Sequence, residues 1–258
     1  MIAWEAAHLK RWVRQMLGEW PQEFDLEVLA ERQFVAKVAA PDGAGHPRVC
    51  ITRDLLNLLF SCSSIALMGI GGVWTLEQCR QKVAHLFREW EANGDTWIEC
   101  AGSLVECNAA ESLGFYALKV LILHELAHAL NLHLSIRAVD TLKMYGAERL
   151  DLVVVPATDQ QQEASADRTA IDLAMGIARA KAAHFPNAPV YTVYGVEVFL
   201  HSIWMVERRL GVISDSHPLA EQRLASARMQ LQVVHGVRDS GSLAQLQGVL
   251  SHLVDSFL

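Results

Sequence analysis

The sequence predicts an α+β fold, mostly α, with a small sheet near the N-terminal end. Three observations predict it. Apolar residues recur at helical spacing over most of the chain. Two short runs, 34–39 and 48–52, read as strands with a Pro-Asp-Gly connection between them (Pro41, Asp42, Gly43). And 118–134 is apolar on nearly every side, which marks a buried helix rather than a surface one.

The elements follow in order. Residues 2–20 read as an amphipathic helix with Trp4, Leu9, Trp12, Val13, Met16 and Trp20 on one broad face. The two strands come next, joined through 41–45. The stretch 55–74 has no charged residue and is close to the ~20 residues that span a bilayer. Its Asn57, serines and glycines make it instead a buried helix running into a glycine turn. Thr75 can cap a helix that Asn93 and Gly94 end. Residues 96–105 read as a further strand, and its edge as a place for an extended peptide to add. After the 118–134 helix, 152–156 is a buried extended segment and 159–175 a helix. Residues 179–189 read as a loop carrying His184, 190–193 as extended, and 196–210 as a helix with His201 packed in the core or beside the site. Ser216 caps a helix opening at Pro218, and 242–257 forms the last helix. No composition break divides the chain, so 1–258 reads as a single domain. Its parts are an N-terminal helix and hairpin start (1–47), a core (48–232) and a C-terminal helix (233–258).

Composition narrows the function. With 258 residues, 52% of them apolar, the chain can bury a sizeable core. A net charge of −7 without a Lys/Arg stripe argues against nucleic-acid binding. Five cysteines are odd in number and form no C-x-x-C, so a disulfide framework or zinc knuckle is not expected. Free thiols and the absence of a basic-then-apolar start point to the cytoplasm, with membrane association unlikely.

The chemistry concentrates in His124-Glu125-Leu126-Ala127-His128. Spacing i and i+4 puts His124 and His128 on one helix face, where two imidazoles can bind one zinc ion. Glu125, next to the first histidine, can act as a general base toward a water at that metal. Buried without partners, these three polar groups would cost several kcal/mol; a metal satisfies all of them. Zinc in a hydrolase takes three protein ligands, and Glu163 is the third candidate. Asp167, at i+4 from Glu163, can accept the spare N–H of a ligating histidine. The other reading of these two acids is an ordinary acidic first turn. His133 is a rival ligand, but Asn131 and Leu134 stand where the metzincin pattern needs glycine and histidine. The pattern predicts a zinc hydrolase, most often a peptidase, with one Zn²⁺ per chain and a protein or peptide substrate.

These residues resemble the HtpX / CAAX-prenyl-protease superfamily, zinc metallopeptidases with H-E-x-x-H and a glutamate ligand in E-x-x-A-D. Four blocks carry the resemblance: residues 49–56, the helix from His124 to His133, Glu163 to Asp167, and Ser216-His217-Pro218 followed by Arg223. It implies a zincin-like domain with an active-site helix. It also implies His217 near the metal as oxyanion donor, with Arg223 a second candidate in contact with Glu163 or Asp167. Tyr191 and Tyr194 are weaker candidates, and His217 reads equally as a cap residue. The long transmembrane helices of the integral-membrane members are not found here, and Asp42 to Gly45 replaces the usual N-A pair. A soluble divergent branch, near the phage-exclusion (Lit-type) peptidases, fits these departures. Two other functions stay open: a catalytically silent zinc-binding regulatory protein, and a narrow-specificity toxin or phage-defence peptidase.

Overall fold

The computed structural model describes residues 24–39, 47–94, 97–98, 100–130, 160–211, 219–238 and 240–257, with Leu9, Arg11 and Gln15. It is mostly α with one small sheet. The elements are β1 (Asp25–Leu29), β2 (Ala36–Ala39), β3 (Arg48–Thr52), α1 (Arg53–Ile70), α2 (Leu76–Asn93), α3 (Leu104–Leu130), α4 (Gln160–Lys181), α5 (Ala188–Leu210), α6 (Ala220–Val233) and α7 (Gly241–Val254). A 3₁₀ turn, Asp255–Phe257, follows.

The sheet runs β1-β3-β2, with β3 antiparallel to β2 and parallel to β1. The β2–β3 pairing matches the sequence reading. β1 was not expected, although Leu26 and Val28 alternate with Asp25 and Glu27. Thr52 ends β3 and ties the sheet together: its Oγ1 donates to the Gln33 carbonyl at 2.5 Å and accepts from Val35 N at 3.0 Å.

α3 forms the centre. Residues 117–128 are buried on every side, against α1, α4 and α5. The α3–α5 crossing is close because residue 195 is glycine. A Cβ there would sit 2.6 Å from the Tyr116 carbonyl carbon, a backbone atom that cannot yield. α1 is long and apolar enough to cross a membrane by length and composition, yet most of it is buried in this fold. α2 starts where expected. Thr75 and Gln78 form a reciprocal capping box, and Gly94 closes the helix at φ 72°.

Three expectations are overturned. The described residues of 96–105 are not a strand: those before Ser103 are irregular, and Leu104 and Val105 open α3. The cause is a second capping box. Ser103 N donates to Glu106 Oε2 at 2.7 Å, and Glu106 N to Ser103 Oγ at 3.4 Å, which starts a helix despite the β-prone residues around it. Residues 190–193 are helical, not extended. Pro189 suits the first turn of α5, and burying Val193 in the core outweighs β-branched propensity. The expected 179–189 loop shrinks to 182–187, because α4 runs on to Lys181.

Several expectations fall on residues outside those described: the hairpin residues 41–45, the 152–156 segment, His133 and the end of the central helix, and Ser216, His217 and Pro218. The described part of the late helix begins at Ala220, with Leu219 at its cap position. Of the N-terminal helix, only Leu9, Arg11 and Gln15 are described, and all three are helical.

Candidate metal centre

The C-terminal part of α3 brings His124, Glu125 and His128 to one place, because one turn separates the two histidines. The first turn of α4 lies against it and supplies Glu163; Asp167 follows one turn later on the same face. α6 reaches in with Arg223. All six side chains are buried.

The distances are short. His124 Nε2 lies 3.3 Å from Glu163 Oε2, and His128 Nε2 lies 3.2 Å from Glu163 Oε1. The two Nε2 atoms are 3.2 Å apart. One ligand atom from each of His124, His128 and Glu163 therefore falls within 4.8 Å of the others, and together they can hold a metal ion. It is the only such group of His, Cys, Asp or Glu among the described residues.

Behind the three sits a second layer. His124 Nδ1 is 2.9 Å from Asp167 Oδ1, although the ring N–H is not squarely aimed at that oxygen. Arg223 grips Asp167 with two bonds, Nε to Oδ2 and Nη2 to Oδ1, each 2.8 Å. Its Nη1 is 3.8 Å from Glu163 Oε2. Phe199 of α5 forms the floor: its ring centroid is 6.0 Å from both the His124 ring and the Arg223 guanidinium carbon.

The donor set fits a cation. With Asp167 holding a proton on Nδ1, a neutral His124 would turn a bare Nε2 lone pair inward. That lone pair faces a carboxylate oxygen and a second imidazole nitrogen, an arrangement that repels itself unless positive charge sits between them. Without a metal, protons supply the positive charge instead. Burial pulls the His124 pKa down, but Asp167 and Glu163 outweigh it and raise it to about 10. Burial works to raise the Glu163 carboxyl; hydrogen bonds from both histidines and the charge of Arg223 hold it far below the usual range instead. Asp167 behaves alike through Arg223 and His124. Glu125 is the exception. Burial raises its pKa, and the neighbouring histidines only partly oppose that. An acid whose pKa is raised beside a metal group is suited to proton transfer near neutral pH.

The structure thus brings together His124, Glu125, His128, Glu163, Asp167 and Arg223 as the sequence suggested, and adds Phe199, which nothing in the sequence marked. It places other candidates elsewhere. The Tyr194 hydroxyl donates to Ser242 Oγ at 2.8 Å, and Tyr191 stacks on Tyr116. His201 is fully buried in the core, with Nδ1 2.8 Å from the Glu197 carbonyl oxygen. His217 and His133 lie outside the described residues.

A search of curated proteins finds no match, and neither does a search of solved structures. A protein-family comparison does match, under the description peptidase U49, over residues 85–238. That span contains α3, α4, α5 and α6, and with them every residue of the centre. The match says peptidase; it does not speak for the HtpX / CAAX superfamily in particular. On a match covering more than half of the sequence, the chain belongs to the peptidase U49 family.

Proposed function

We propose that this peptidase is a zinc-dependent endopeptidase acting on a protein substrate, with His124, His128 and Glu163 as the metal ligands and Glu125 as general base. The observation that carries the proposal is the buried convergence of those three donors, with Asp167 orienting His124 from behind. Two imidazoles and one carboxylate form the ligand set of many hydrolytic zinc sites, with one position left open.

Bound there, zinc would supply a Lewis acid that acidifies a water and polarises a peptide carbonyl. The chain's own residues do the rest. Glu125 takes the proton of the attacking water and delivers it to the leaving amine. Burial makes this carboxylate a stronger base than an exposed one in the metal-free chain. Asp167 keeps His124 in the Nδ1–H tautomer, so that Nε2 stays free to ligate. Arg223 balances Asp167 and Glu163, so the carboxylates do not cancel the cation's charge at the site where an oxyanion develops. Phe199 keeps water from one side of the pair, which strengthens each of these interactions. His217 is proposed as the donor to the oxyanion.

The peptide would bind extended. The described residues of 96–105 offer no strand edge, but β2 is an outer strand of the described sheet and packs on α3. Among the described residues no strand pairs along its outer side, and that side is the proposed place for strand addition. The five free cysteines support cytoplasmic residence.

Metal content by elemental analysis, on wild type beside Glu163→Ala, tests the reading. About one zinc per chain in wild type, lost in the variant, is expected. Wild-type protein that stays metal-free after zinc is added back would overturn it.

A further inference from the structure

Away from the metal centre, three sulfur atoms from separate parts of the chain meet at the opposite end of α3. Met68 lies near the end of α1, Cys100 in the irregular segment before α3, and Cys107 in the first turn of α3. Cys100 Sγ is 3.9 Å from Met68 Sδ. The Cys100 and Cys107 thiols lie within hydrogen-bonding reach of each other.

Met68 is fully buried and alone would be core filler. The cysteines are not. Both are partly exposed, and both are free thiols. Cys107 Sγ makes long bonds, 3.7 Å to the Cys100 carbonyl oxygen and 3.6 Å to that of Gly102. Gly102 lets the segment close over the sulfurs: a Cβ there would be 3.0 Å from Met68 Cε and 2.8 Å from Glu106 Oε2. Two sulfurs bound to one metal at about 2.3 Å, in trigonal or tetrahedral geometry, stand roughly 3.8 to 4.0 Å apart. The Met68–Cys100 separation already has that value.

The composition of the group selects its ligand. Among the described residues no histidine or carboxylate completes a group of three with the two thiols, since the only such group is the one around His124. The nearby Glu106 carboxylate is occupied by the Ser103 backbone N–H and hydroxyl, at 2.7 and 2.8 Å. Two thiolates and a thioether suit a soft monovalent ion, whereas a thioether is a poor ligand for zinc. We propose that Met68, Cys100 and Cys107 form a three-sulfur site for Cu(I) at the N-terminal end of α3. Binding exchanges the two thiol protons for one Cu(I), releasing two protons without oxidation or reduction. The site does not depend on the peptidase reading, because it shares no residue with the metal centre.

The test is anaerobic titration of the full-length, zinc-loaded chain with Cu(I) against the chelator bicinchoninate, with X-ray absorption on the product. The expected result is one Cu(I) per chain withheld from the chelator, with only sulfur in the first coordination shell. Cys100→Ser and Cys107→Ser should each abolish uptake. Met68→Leu, which keeps the side-chain volume, should weaken it at least about tenfold. Cys79→Ser, at a thiol outside the group, should leave it unchanged. Equal uptake in the Cys100→Ser/Cys107→Ser double variant overturns the proposal, as does unchanged affinity in Met68→Leu. The wild-type spectrum decides on its own should a variant fail to fold: nitrogen or oxygen neighbours around copper overturn the site.

Discussion

Arg223 and Asp167 form a two-bond pair, both bonds 2.8 Å, buried directly behind His124. Without the arginine, Asp167 and Glu163 would be two buried negative charges one helical turn apart. Removing one partner of such a pair costs about 3 to 5 kcal/mol, because the other is left buried and uncompensated. Arg223→Met should therefore lower the melting temperature of the metal-free protein by several degrees or more. A divalent cation can replace the missing charge, so added zinc should raise the variant's melting temperature more than it raises that of wild type. Calorimetry with and without zinc checks this. Equal zinc-induced shifts in the two proteins would show that Arg223 does not share the electrostatics of the centre.

In the proposed mechanism Glu125 separates catalysis from metal binding. It is buried beside the ligands, yet the three converging donors are His124, His128 and Glu163. Glu125→Gln keeps the size of the side chain and removes its basicity. Metal content should stay at the wild-type level, while hydrolysis of a cleaved substrate falls by about 10² to 10⁴-fold or more. Residual activity within tenfold of wild type would mean that another group takes the proton.

A second buried polar cluster joins α5, α6 and α7. Glu197 accepts two bonds from Arg228, at 2.9 and 2.8 Å, and one from Gln247 at 2.7 Å. Glu197 is 1% exposed and Arg228 33%, so the cost of breaking the pair falls at the lower end of the buried range. Glu197→Leu should destabilise by about 2 to 3 kcal/mol in urea unfolding. Glu197→Leu/Arg228→Met should recover most of that loss, since a matched apolar pair can substitute for a buried ion pair. A double variant no more stable than the single one would place the cost in packing, not in charge.

The candidate metal centre was legible because its spacing is local. His124 and His128, like Glu163 and Asp167, are i and i+4 partners on one helix, and helical periodicity alone puts each pair on one face. Arg223 came from the resemblance; its spacing from Asp167 carries no signal. Phe199 was invisible for the same reason: its place beneath His124 depends on how α5 crosses α3, which Gly195 permits but does not announce. The misread 96–105 segment is different. Ser103 and Glu106 are a capping box written in the sequence, and that local hydrogen bonding prevailed over the β-prone residues beside it. At 190–193 tertiary burial overrode propensity. β1 alternates Asp25 and Glu27 with Leu26 and Val28, but five residues are too short a run to stand out without its β3 partner.

Lys119 gives the pH-dependent prediction. It lies within the apolar run of α3, 2% exposed, with no carboxylate partner described. Nζ donates to the Ala174 carbonyl of α4 at 3.1 Å and to Thr192 Oγ1 of α5 at 3.4 Å, and sits over the Tyr116 ring. Burial, with Lys181 as a minor contributor, lowers its pKa from 10.5 to about 7. The sign follows from proton counts. Between pH 7 and 10.5 the unfolded chain holds a proton on this amine that the folded chain has shed. Stability from this residue therefore rises with pH across that window, and the penalty for the charged amine is fully present below it. Lys119→Met removes the charge and keeps a long flexible side chain. It should stabilise the protein at pH 6 by on the order of a few kcal/mol, and the gain should shrink steadily as pH rises toward 10. Comparing the two proteins by denaturant unfolding at several pH values cancels the titration of groups they share, including the buried cysteines. A gain that stays constant with pH would show that Lys119 keeps its proton in the fold.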